Sequence, residues 1–333
     1  MESKMSFDKK TNRNDFFDQI EKEIMELIDP ATNEPYEYLV EHIHCPACES
    51  KGKFFLKKWG FTYNRCLNCD LIFVSPRLTE SNTVELYKKG SKANALWASS
   101  VNSSDHQQKF NTEYFKGHLS LLKKYKTHGD LLDIGCGNGH FLKVAQSAGF
   151  NVKGVELEEN AIVIAKKKGL NVEPLLLTDK SLNSQRFDII TMFGVLEHLF
   201  KPARDISIVH SMLNDEGIFM GITPNAQSLV GLLLHEKARF YTPRNHPMIF
   251  SSNSIKKLFK TNGFELLHAD TVLTGYDSII NNLQYNDPFA DLKIDFLPAK
   301  LHELVKDKVR FENMIIEWDL GLRLRIIAKK QNF

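Results

Sequence analysis

Residues 129–150 read GDLLDIGCGNGHFLKVAQSAGF and combine a short apolar strand, a glycine-rich turn and an amphipathic helix. The helix carries apolar residues at helical spacing, namely Phe141, Leu142, Ala145 and Ala148. Three glycines let the backbone bend and approach a ligand that would collide with a Cβ atom: Gly135, Gly137 and Gly139. Such a turn is shared by several nucleotide-binding families. Strands and helices alternate from here onward, which predicts an α/β fold.

The next strand, NVKGVELEEN at residues 151–160, ends in Glu156. This residue follows the glycine turn by about twenty positions, where a carboxylate can hold both hydroxyls of a ribose. The turn lacks the GxGxxG spacing of pyrophosphate-binding proteins, which argues against NAD. The pattern therefore favours a different nucleoside-containing cofactor.

Four of the five cysteines lie in HCPACESKGKFFLKKWGFTYNRCLNC, residues 44–69, as two CxxC pairs: Cys45, Cys48, Cys66 and Cys69. Two such turns supply the four sulfurs of a tetrahedral Zn²⁺ site. The seventeen residues between the pairs suit a β-hairpin, since aromatic residues recur there at strand period: Phe55, Trp59, Phe61 and Tyr63. Four thiolates would fill the coordination sphere, so we expect a zinc ribbon with a structural ion.

Composition places the chain among ordinary globular proteins. It has 333 residues, 42% apolar and 25% charged, with a net charge of +2. The net charge alone argues neither for nor against nucleic acid, but a near-neutral chain that also lacks an NPPY-type motif leads us to expect no nucleic-acid partner. No apolar run is long enough to span a membrane. The start, MESKMSFDKKTNRND, shows no secretory signal, and the cysteines suit a reducing compartment. We expect a cytoplasmic monomer or homodimer.

Several segments together resemble the class I S-adenosylmethionine-dependent methyltransferases. They are DxGCGxG, the acidic end of the second strand, FDIITMFGVLEHL at 187–199 and LNDEGIFMGITPN at 213–225. The ribbon followed by DLIFVSPRLTESNTVELY resembles the leader of small-molecule methyltransferases that include deoxysugar C-methyltransferases. The resemblance implies a doubly wound, seven-stranded Rossmann-like α/β sheet with its last strand antiparallel.

The resemblance also implies site residues. S-adenosylmethionine would be held by the glycine loop, the acidic residue and the end of the fourth strand, that is by Asp133, Gly135, Cys136, Gly137, Gly139, Glu156, Leu157, Met192 and Phe193. Cys136 could be a nucleophile at a helix N-terminus. We interpret it instead as a small residue that fills a tight loop.

Methyl transfer to a hydroxyl or an enolisable carbon needs a base. His246 is our first candidate, and His198 in VLEHL is a second; either could instead be a structural histidine that orients its loop. Asn245 stands where the sugar C-methyltransferases commonly carry a glutamate, which leaves O- or N-methylation open. Tyr87, Tyr241 and Asn245 are expected to contact the acceptor.

The predicted organisation has four parts: a helical extension at 1–40, the zinc ribbon at 41–78, a helical connector or lid at 79–127, and the methyltransferase domain at 128–333 with an acceptor-pocket insertion at about 225–250. One alternative is an RNA methyltransferase whose basic hairpin grips phosphates, with Lys51, Lys53, Lys57, Lys58 and Arg65. The other interpretation of these cations is a solvated surface that offsets the charge of the zinc site. A further alternative is a non-catalytic scaffold that retains the fold.

Overall fold

A seven-stranded sheet forms the centre of the protein, in a computed structural model that describes residues 13–88, 91–100, 105–276, 279 and 307–332. Its strands are β8 (Asp130–Ile134), β9 (Asn151–Val155), β10 (Val172–Glu173), β11 (Phe187–Phe193), β12 (Leu213–Pro224), β14 (Phe264–Val272) and β15 (Arg323–Lys330). Their order across the sheet is β10-β9-β8-β11-β12-β15-β14. The last strand enters between β12 and β14 and runs antiparallel to both. The fold class predicted from the sequence is therefore confirmed.

Helices cover both faces of this sheet, because successive strand residues point to opposite sides. Leu131 and Ile189 pack with α4 (Asp105–Leu122), α5 (His140–Ser147) and α6 (Glu159–Lys167). Leu132 and Ile190 pack on the other side with α7 (Lys180–Asn183), α8 (Pro202–Met212) and α10 (Ser252–Thr261). The chain thus forms the helix–sheet–helix layers of a doubly wound fold. Every described helix is too short or too polar to cross a lipid bilayer.

The ribbon contains the predicted hairpin, formed by β4 (Gly52–Lys58) and β5 (Phe61–Cys66). Strand β6 (Ile72–Val74) pairs with β5 and extends the sheet. Its fourth strand, β13 (Met248–Ile249), comes from the predicted acceptor insertion and pairs with β6. The ribbon and the insertion are therefore parts of one sheet, which the sequence did not suggest.

The N-terminal helix α1 spans Arg13–Met25, within the segment 1–40 that was predicted as a helical extension; residues 1–12 lie outside the described part. Asp29 accepts a hydrogen bond from the backbone N–H of Ala31 at 2.8 Å and turns the chain. A two-stranded hairpin follows, with β1 (Ile28–Asp29) and β2 (Glu34–Pro35). The Asp29 bond therefore lies in the loop of this hairpin, beyond the end of α1.

The connector contains the helices α2 (Glu80–Lys88), α3 (Lys92–Ser100) and α4. Before it, β3 (Val40–Glu41) pairs with β7 (Arg77–Leu78) and closes the ribbon segment. Within the insertion lies the short helix α9 (Leu229–Leu234), and α11 (Lys308–Glu317) precedes β15. Helix α4 packs directly on the sheet through Leu119 and Leu122.

Candidate active site

The glycine turn lies between β8 and α5, at the carboxyl edge of the sheet. Gly137 has φ 50°, and a Cβ atom built there would meet nothing within 4 Å. The backbone at this point therefore faces open space that a ligand could occupy. Gly139, with φ 71°, is the N-cap of α5 and packs against Leu170 and Ala165. Gly135 also has a positive φ, so all three predicted glycines lie in one cradle.

Glu156 follows β9 and its carboxylate is held by backbone groups on two sides. Oε2 accepts from the N–H of Gly137 at 2.8 Å. Oε1 accepts from the N–H groups of Leu157 at 2.7 Å and Glu158 at 3.0 Å. These bonds fix the carboxylate beside the glycine turn, where it can receive the two hydroxyls of a ribose.

Asp133 lies at the centre of the sheet with its side chain fully buried. Its Oδ1 accepts a hydrogen bond from the Thr191 hydroxyl at 2.7 Å. Burial raises the pKa of Asp133 to about 7, and the negative charge of Glu156 acts in the same direction. The group therefore titrates close to neutral pH in the ligand-free protein.

Cys136 is buried in the same loop, with its sulfur close to Gly154. Burial raises the pKa of the thiol far above its usual range, and the carboxylates of Asp133 and Glu156 add to the effect. A nucleophilic cysteine needs a stabilised thiolate, and this environment disfavours one. The geometry favours the interpretation of Cys136 as a packing residue.

The end of β11 carries the two residues expected near the sulfonium group. Phe193 packs edge-on against Phe141 with ring centroids 4.6 Å apart, next to the glycine turn. Met192 is fully buried in the core on the opposite side of the sheet. Of the two side chains, that of Phe193 lies on the side of the glycine turn, and that of Met192 faces the opposite core.

His246 and His198 are brought together from two distant segments. Their ring centroids lie 4.9 Å apart with an interplanar angle of 68°. His246 Nδ1 lies 2.7 Å from the carbonyl oxygen of Phe240, and because a carbonyl only accepts, Nδ1 carries the proton. Burial lowers the pKa of His246 well below its usual range, and the neighbouring His198 adds to this effect. His246 is therefore neutral, with its lone pair on Nε2.

Glu197, Thr223 and Arg323 complete this corner of the site and were missed by sequence reasoning. Glu197 Oε2 accepts from the Thr223 hydroxyl at 2.9 Å, and Oε1 lies 3.8 Å from Arg323. Glu197 is 1% exposed although its sequence neighbourhood, VLEHL, gives no sign of burial. Its position directly before the candidate His198 was the available signal. Arg323 had none, since it lies in the distant last strand.

His118 of α4 is another residue that sequence reasoning missed. Its ring lies over Phe193 at 5.9 Å with an interplanar angle of 26°. Nδ1 accepts a hydrogen bond from Arg325 at 3.2 Å, and burial, together with the Arg325 charge, lowers the pKa of His118 to about 3. The connector thus contributes a neutral imidazole next to the end of β11.

The three predicted acceptor contacts fall in different surroundings. Tyr241 is fully buried between the ribbon and the insertion, with its ring 5.2 Å from that of Tyr63, and its hydroxyl has no partner among the described residues. Asn245 precedes His246; it accepts from Arg244 at 2.8 Å and donates to Asn94 at 3.4 Å. Tyr87 falls in α2, and its side chain lies outside the described part.

The four ribbon cysteines form one cluster of free thiols. Sulfur–sulfur distances are 3.6 Å for Cys45–Cys69, 3.5 Å for Cys48–Cys66 and 3.6 Å for Cys48–Cys69. A tetrahedral ion with Zn–S bonds of about 2.3 Å needs sulfurs roughly 3.8 Å apart. The residues present therefore fit Zn²⁺, with no ligand position left for a substrate.

The cations of the ribbon hairpin are largely engaged within the protein. Lys57 pairs with Glu34 at 3.2 Å, and Arg65 pairs with Asp70 at 3.1 Å. Lys58 donates to the carbonyl oxygen of Ala238 at 3.1 Å, and burial lowers its pKa to about 8. These contacts favour the interpretation of the cations as local structural partners over a phosphate-binding surface.

Comparison with known proteins identifies the domain to which this site belongs. Residues 105–269, just under half of the chain, match the family described as a methyltransferase domain. A crystal structure of a SAM-dependent methyltransferase from Archaeoglobus fulgidus shares the fold, with a TM-score of 0.50 and 20% identity, over 71% of this chain and 99% of that one. The family match and the shared fold together indicate a methyltransferase domain over residues 105–269.

Two curated relatives resemble this domain in sequence. An uncharacterized protein of Methanocaldococcus jannaschii is 28% identical over 171 residues, which cover 50% of this chain and 79% of that protein. The ubiquinone biosynthesis O-methyltransferase of Haemophilus ducreyi is 28% identical over 106 residues, which cover 28% of this chain and 45% of that enzyme. The chain thus spans under half the length of the relative with a named reaction.

Proposed function

We propose that the protein transfers a methyl group from S-adenosylmethionine to a small-molecule acceptor, such as a sugar, a nucleotide-sugar or a related biosynthetic intermediate. The observation that carries this proposal is the pairing of His246 with His198 at 4.9 Å, at the carboxyl edge of the sheet. Two polar groups from separate segments converge next to the strand end where the methyl donor would lie. Their surroundings are buried, as a pocket for a small molecule requires.

On the donor side, the glycine turn and Glu156 support the cofactor. Glu156 would bind both ribose hydroxyls, with Leu157 against the adenine, and Gly135 and Gly137 would face the methionine part. Phe193 would lie near the sulfonium, where its ring face can stabilise a positive charge. The carboxyl of Asp133 below the turn would meet the ammonium group of the cofactor.

On the acceptor side, His246 would act as the base. Its Nδ1–H is held by the Phe240 carbonyl, so Nε2 can take the proton of an acceptor hydroxyl. The acceptor oxygen then forms a bond to the methyl carbon, and the carbon–sulfur bond breaks with its electron pair staying on sulfur. The products are the methylated acceptor and S-adenosylhomocysteine. An oxygen acceptor is supported by the Haemophilus ducreyi relative, which is named an O-methyltransferase.

The ribbon would hold a structural Zn²⁺ and thereby support the acceptor loop, that is, the insertion at about 225–250 that carries His246. Strand β13 begins two residues after His246 and pairs with ribbon strand β6. In addition, the Tyr63 hydroxyl of β5 donates to the His246 carbonyl oxygen at 3.2 Å. A folded ribbon would therefore fix the backbone position of His246, the proposed base.

A label-transfer experiment tests the proposal. The protein is incubated with methyl-labelled S-adenosylmethionine and a native cell extract, which is then separated into small-molecule, RNA and protein fractions. We expect label in the small-molecule fraction, where mass analysis would give the acceptor. Label in RNA instead would establish the RNA methyltransferase alternative. No cofactor binding at all would establish the scaffold alternative.

His246→Ala tests the base within the same assay. We expect methyl transfer to fall by ~10²-fold or more, because general-base catalysis contributes that much, while cofactor affinity stays nearly unchanged. Calorimetric titration with S-adenosylhomocysteine measures the affinity. The control is His128→Ala, which alters an exposed histidine remote from the strand ends. An equal loss of affinity and transfer in His246→Ala would show that the histidine is structural.

A further inference from the structure

One carboxylate and two imidazoles converge at the acceptor side of the site, from Glu197, His198 and His246. One ligand-capable atom of each lies within 4.8 Å of the others. Within the described ranges, the other grouping of this kind is the set of four ribbon cysteines. Such a spacing allows three donors to share a single ion, since metal–nitrogen and metal–oxygen bonds are about 2.0–2.2 Å long.

We propose that Glu197, His198 and His246 form a second metal site, which binds a divalent first-row transition ion and presents it to the oxygen of the acceptor. The ion itself needs no acceptor to bind. Its role in methyl transfer rests on the proposed function. In that role the ion would make the acceptor hydroxyl more acidic, and His246 would bind the ion instead of taking the proton itself.

His246 is oriented as a metal ligand would be. A ligating histidine commonly donates its second ring N–H to a backbone carbonyl, which fixes the tautomer and the plane of the ring. The Phe240 carbonyl accepts from Nδ1 at 2.7 Å, so the donor atom left for an ion is Nε2. The carbonyl belongs to the same loop, and the loop is tied to the ribbon through the Tyr63 hydroxyl. The ligand is thus fixed before any ion arrives.

Glu197 has one carboxylate oxygen suited to an ion. Its side chain is 2% exposed, so its negative charge needs a close cation. Oε2 accepts from Thr223 at 2.9 Å, whereas Oε1 lies 3.8 Å from Arg323, beyond hydrogen-bond distance. An ion bonded to Oε1 would neutralise the carboxylate at a shorter distance than this arginine does. Arg323 would then be released toward the acceptor.

One turn positions two of the three ligands. Glu197 and His198 are consecutive in the 3₁₀ turn Leu196–His198, which is joined to β11 by Gly194 and Val195. The turn packs through Leu196 into the core beneath the sheet, so the pair is carried by a rigid element. The His198 ring approaches that of His246 at 4.9 Å, and the two imidazoles can converge on one centre.

The donor set indicates the class of ion. Two imidazoles and one carboxylate, with no thiolate, suit Zn²⁺, Fe²⁺, Co²⁺ or Mn²⁺. Three protein ligands leave positions open, in contrast to the filled cysteine site of the ribbon. A hydroxyl bound at an open position would release its proton to solvent more easily. Its oxygen could then bond to the methyl carbon, while the carbon–sulfur bond breaks and its electron pair stays on sulfur. Such a site favours an oxygen acceptor.

Manganese titration followed by electron paramagnetic resonance tests the site directly. Protein that carries a single equivalent of zinc, in the ribbon, is titrated with Mn²⁺, whose free-ion signal disappears on binding; the filled thiolate site of the ribbon does not take this ion. We expect one Mn²⁺ per chain. The affinity for Mn²⁺ should fall at least ~100-fold in His198→Ala/His246→Ala and in Glu197→Gln. Loss of a residue that is only hydrogen-bonded to a metal ligand already lowers metal affinity by about 10–100-fold. His128→Ala, remote from the site, should bind as the parent protein does.

Glu197→Gln keeps the size of the side chain and can keep the hydrogen bond from Thr223, so we expect it to fold even if the double alanine variant does not. The proposal is overturned if neither Mn²⁺ nor Zn²⁺ binds beyond the ribbon equivalent, or if both variants bind as tightly as the parent. Label transfer that persists in a mild chelator would leave His246 as the base and exclude the ion's role. A bound ion without any labelled acceptor would support the site and refute the proposed function.

Discussion

At the scale of single residues, Asp133 links the charge state of the cofactor loop to pH. Burial raises its pKa from an ordinary value near 4 to about 7, so the folded protein holds a proton there that the unfolded chain releases. Its contribution to stability is therefore fully present at low pH and is lost as pH rises from about 4 through about 7. The slope cannot exceed about 1.4 kcal/mol per pH unit for one group.

Asp133→Asn removes this dependence. We expect the free energy of unfolding of the cofactor-free variant to change less between pH 5 and 7 than that of the parent protein. Urea unfolding at several pH values measures the difference. Asp130→Asn, at the exposed start of the same strand, serves as the control. Parallel curves for the parent and Asp133→Asn would show that the group is already ionised in the folded protein.

At the scale of elements, the ribbon and the acceptor loop share a sheet, and zinc removal should therefore act at a distance. In Cys69→Ser we expect loss of the ion, loosening of the β13–β6 pairing and displacement of His246. Methyl transfer should fall by roughly tenfold or more, since small misplacements of reacting groups are costly. Metal analysis, calorimetric cofactor titration and the transfer assay separate these effects.

Cofactor affinity should stay close to that of the parent in Cys69→Ser, because the glycine turn belongs to the other sheet. Leu67→Ser alters an exposed residue of the same cysteine turn and should retain zinc and activity. If Cys69→Ser loses zinc but transfers methyl groups at the parent rate, the ribbon does not support the acceptor loop.

Helix α1 holds the same loop from the other side. Glu23 pairs with Arg244, two residues before His246, and also accepts from Ser91 at 2.7 Å and from the Ala93 N–H at 3.0 Å. Burial alone would raise the pKa of Glu23, but these hydrogen bonds and the Arg244 charge lower it to about 2. The stabilisation is therefore present above about pH 4.5 and is lost as pH falls toward 2.

Glu23→Gln should lower the free energy of unfolding by about 1–3 kcal/mol at neutral pH, because it leaves the buried Arg244 without its counter-charge. Urea unfolding gives this value, and the difference from the parent should shrink at acidic pH. Glu26→Gln changes an exposed residue of the chain just after α1 and should be neutral. An equally small effect of both substitutions would contradict a supporting role for the ion pair.

At the scale of the whole molecule, the ribbon is part of the apolar cores. Cys45, Cys66 and Cys69 pack into the core beneath the central sheet, with Leu196 and Phe219. Phe61 and Tyr63 of the hairpin pack into a second core with α1, the insertion and α11. We expect the zinc-loaded protein to unfold in one cooperative transition, with zinc release at the same temperature. Calorimetry with a fluorescent zinc indicator checks this, and an earlier, separate ribbon transition would contradict it.

Local patterns in the sequence account for much of this architecture. The glycine turn, the strand alternation and the paired cysteines are each local patterns, so their spacing predicts the turn between β8 and α5, the order of elements and the cysteine cluster. The contacts among Glu197, Thr223 and Arg323 depend instead on a strand that returns to the sheet from the end of the chain. The β13–β6 pairing likewise joins segments some 175 residues apart. Two-residue strands carry too little pattern to be recognised.

That same pairing limits how acceptor preference could be transplanted between related enzymes. A chimera that exchanges only the insertion would place a foreign edge strand against the native ribbon, and its backbone hydrogen bonds and the Met248–Phe73 register would both have to be recreated. If the insertion sets acceptor preference as proposed, the segments that determine it are discontinuous in the sequence, and the cysteine-bearing ribbon and the insertion would have to be moved together.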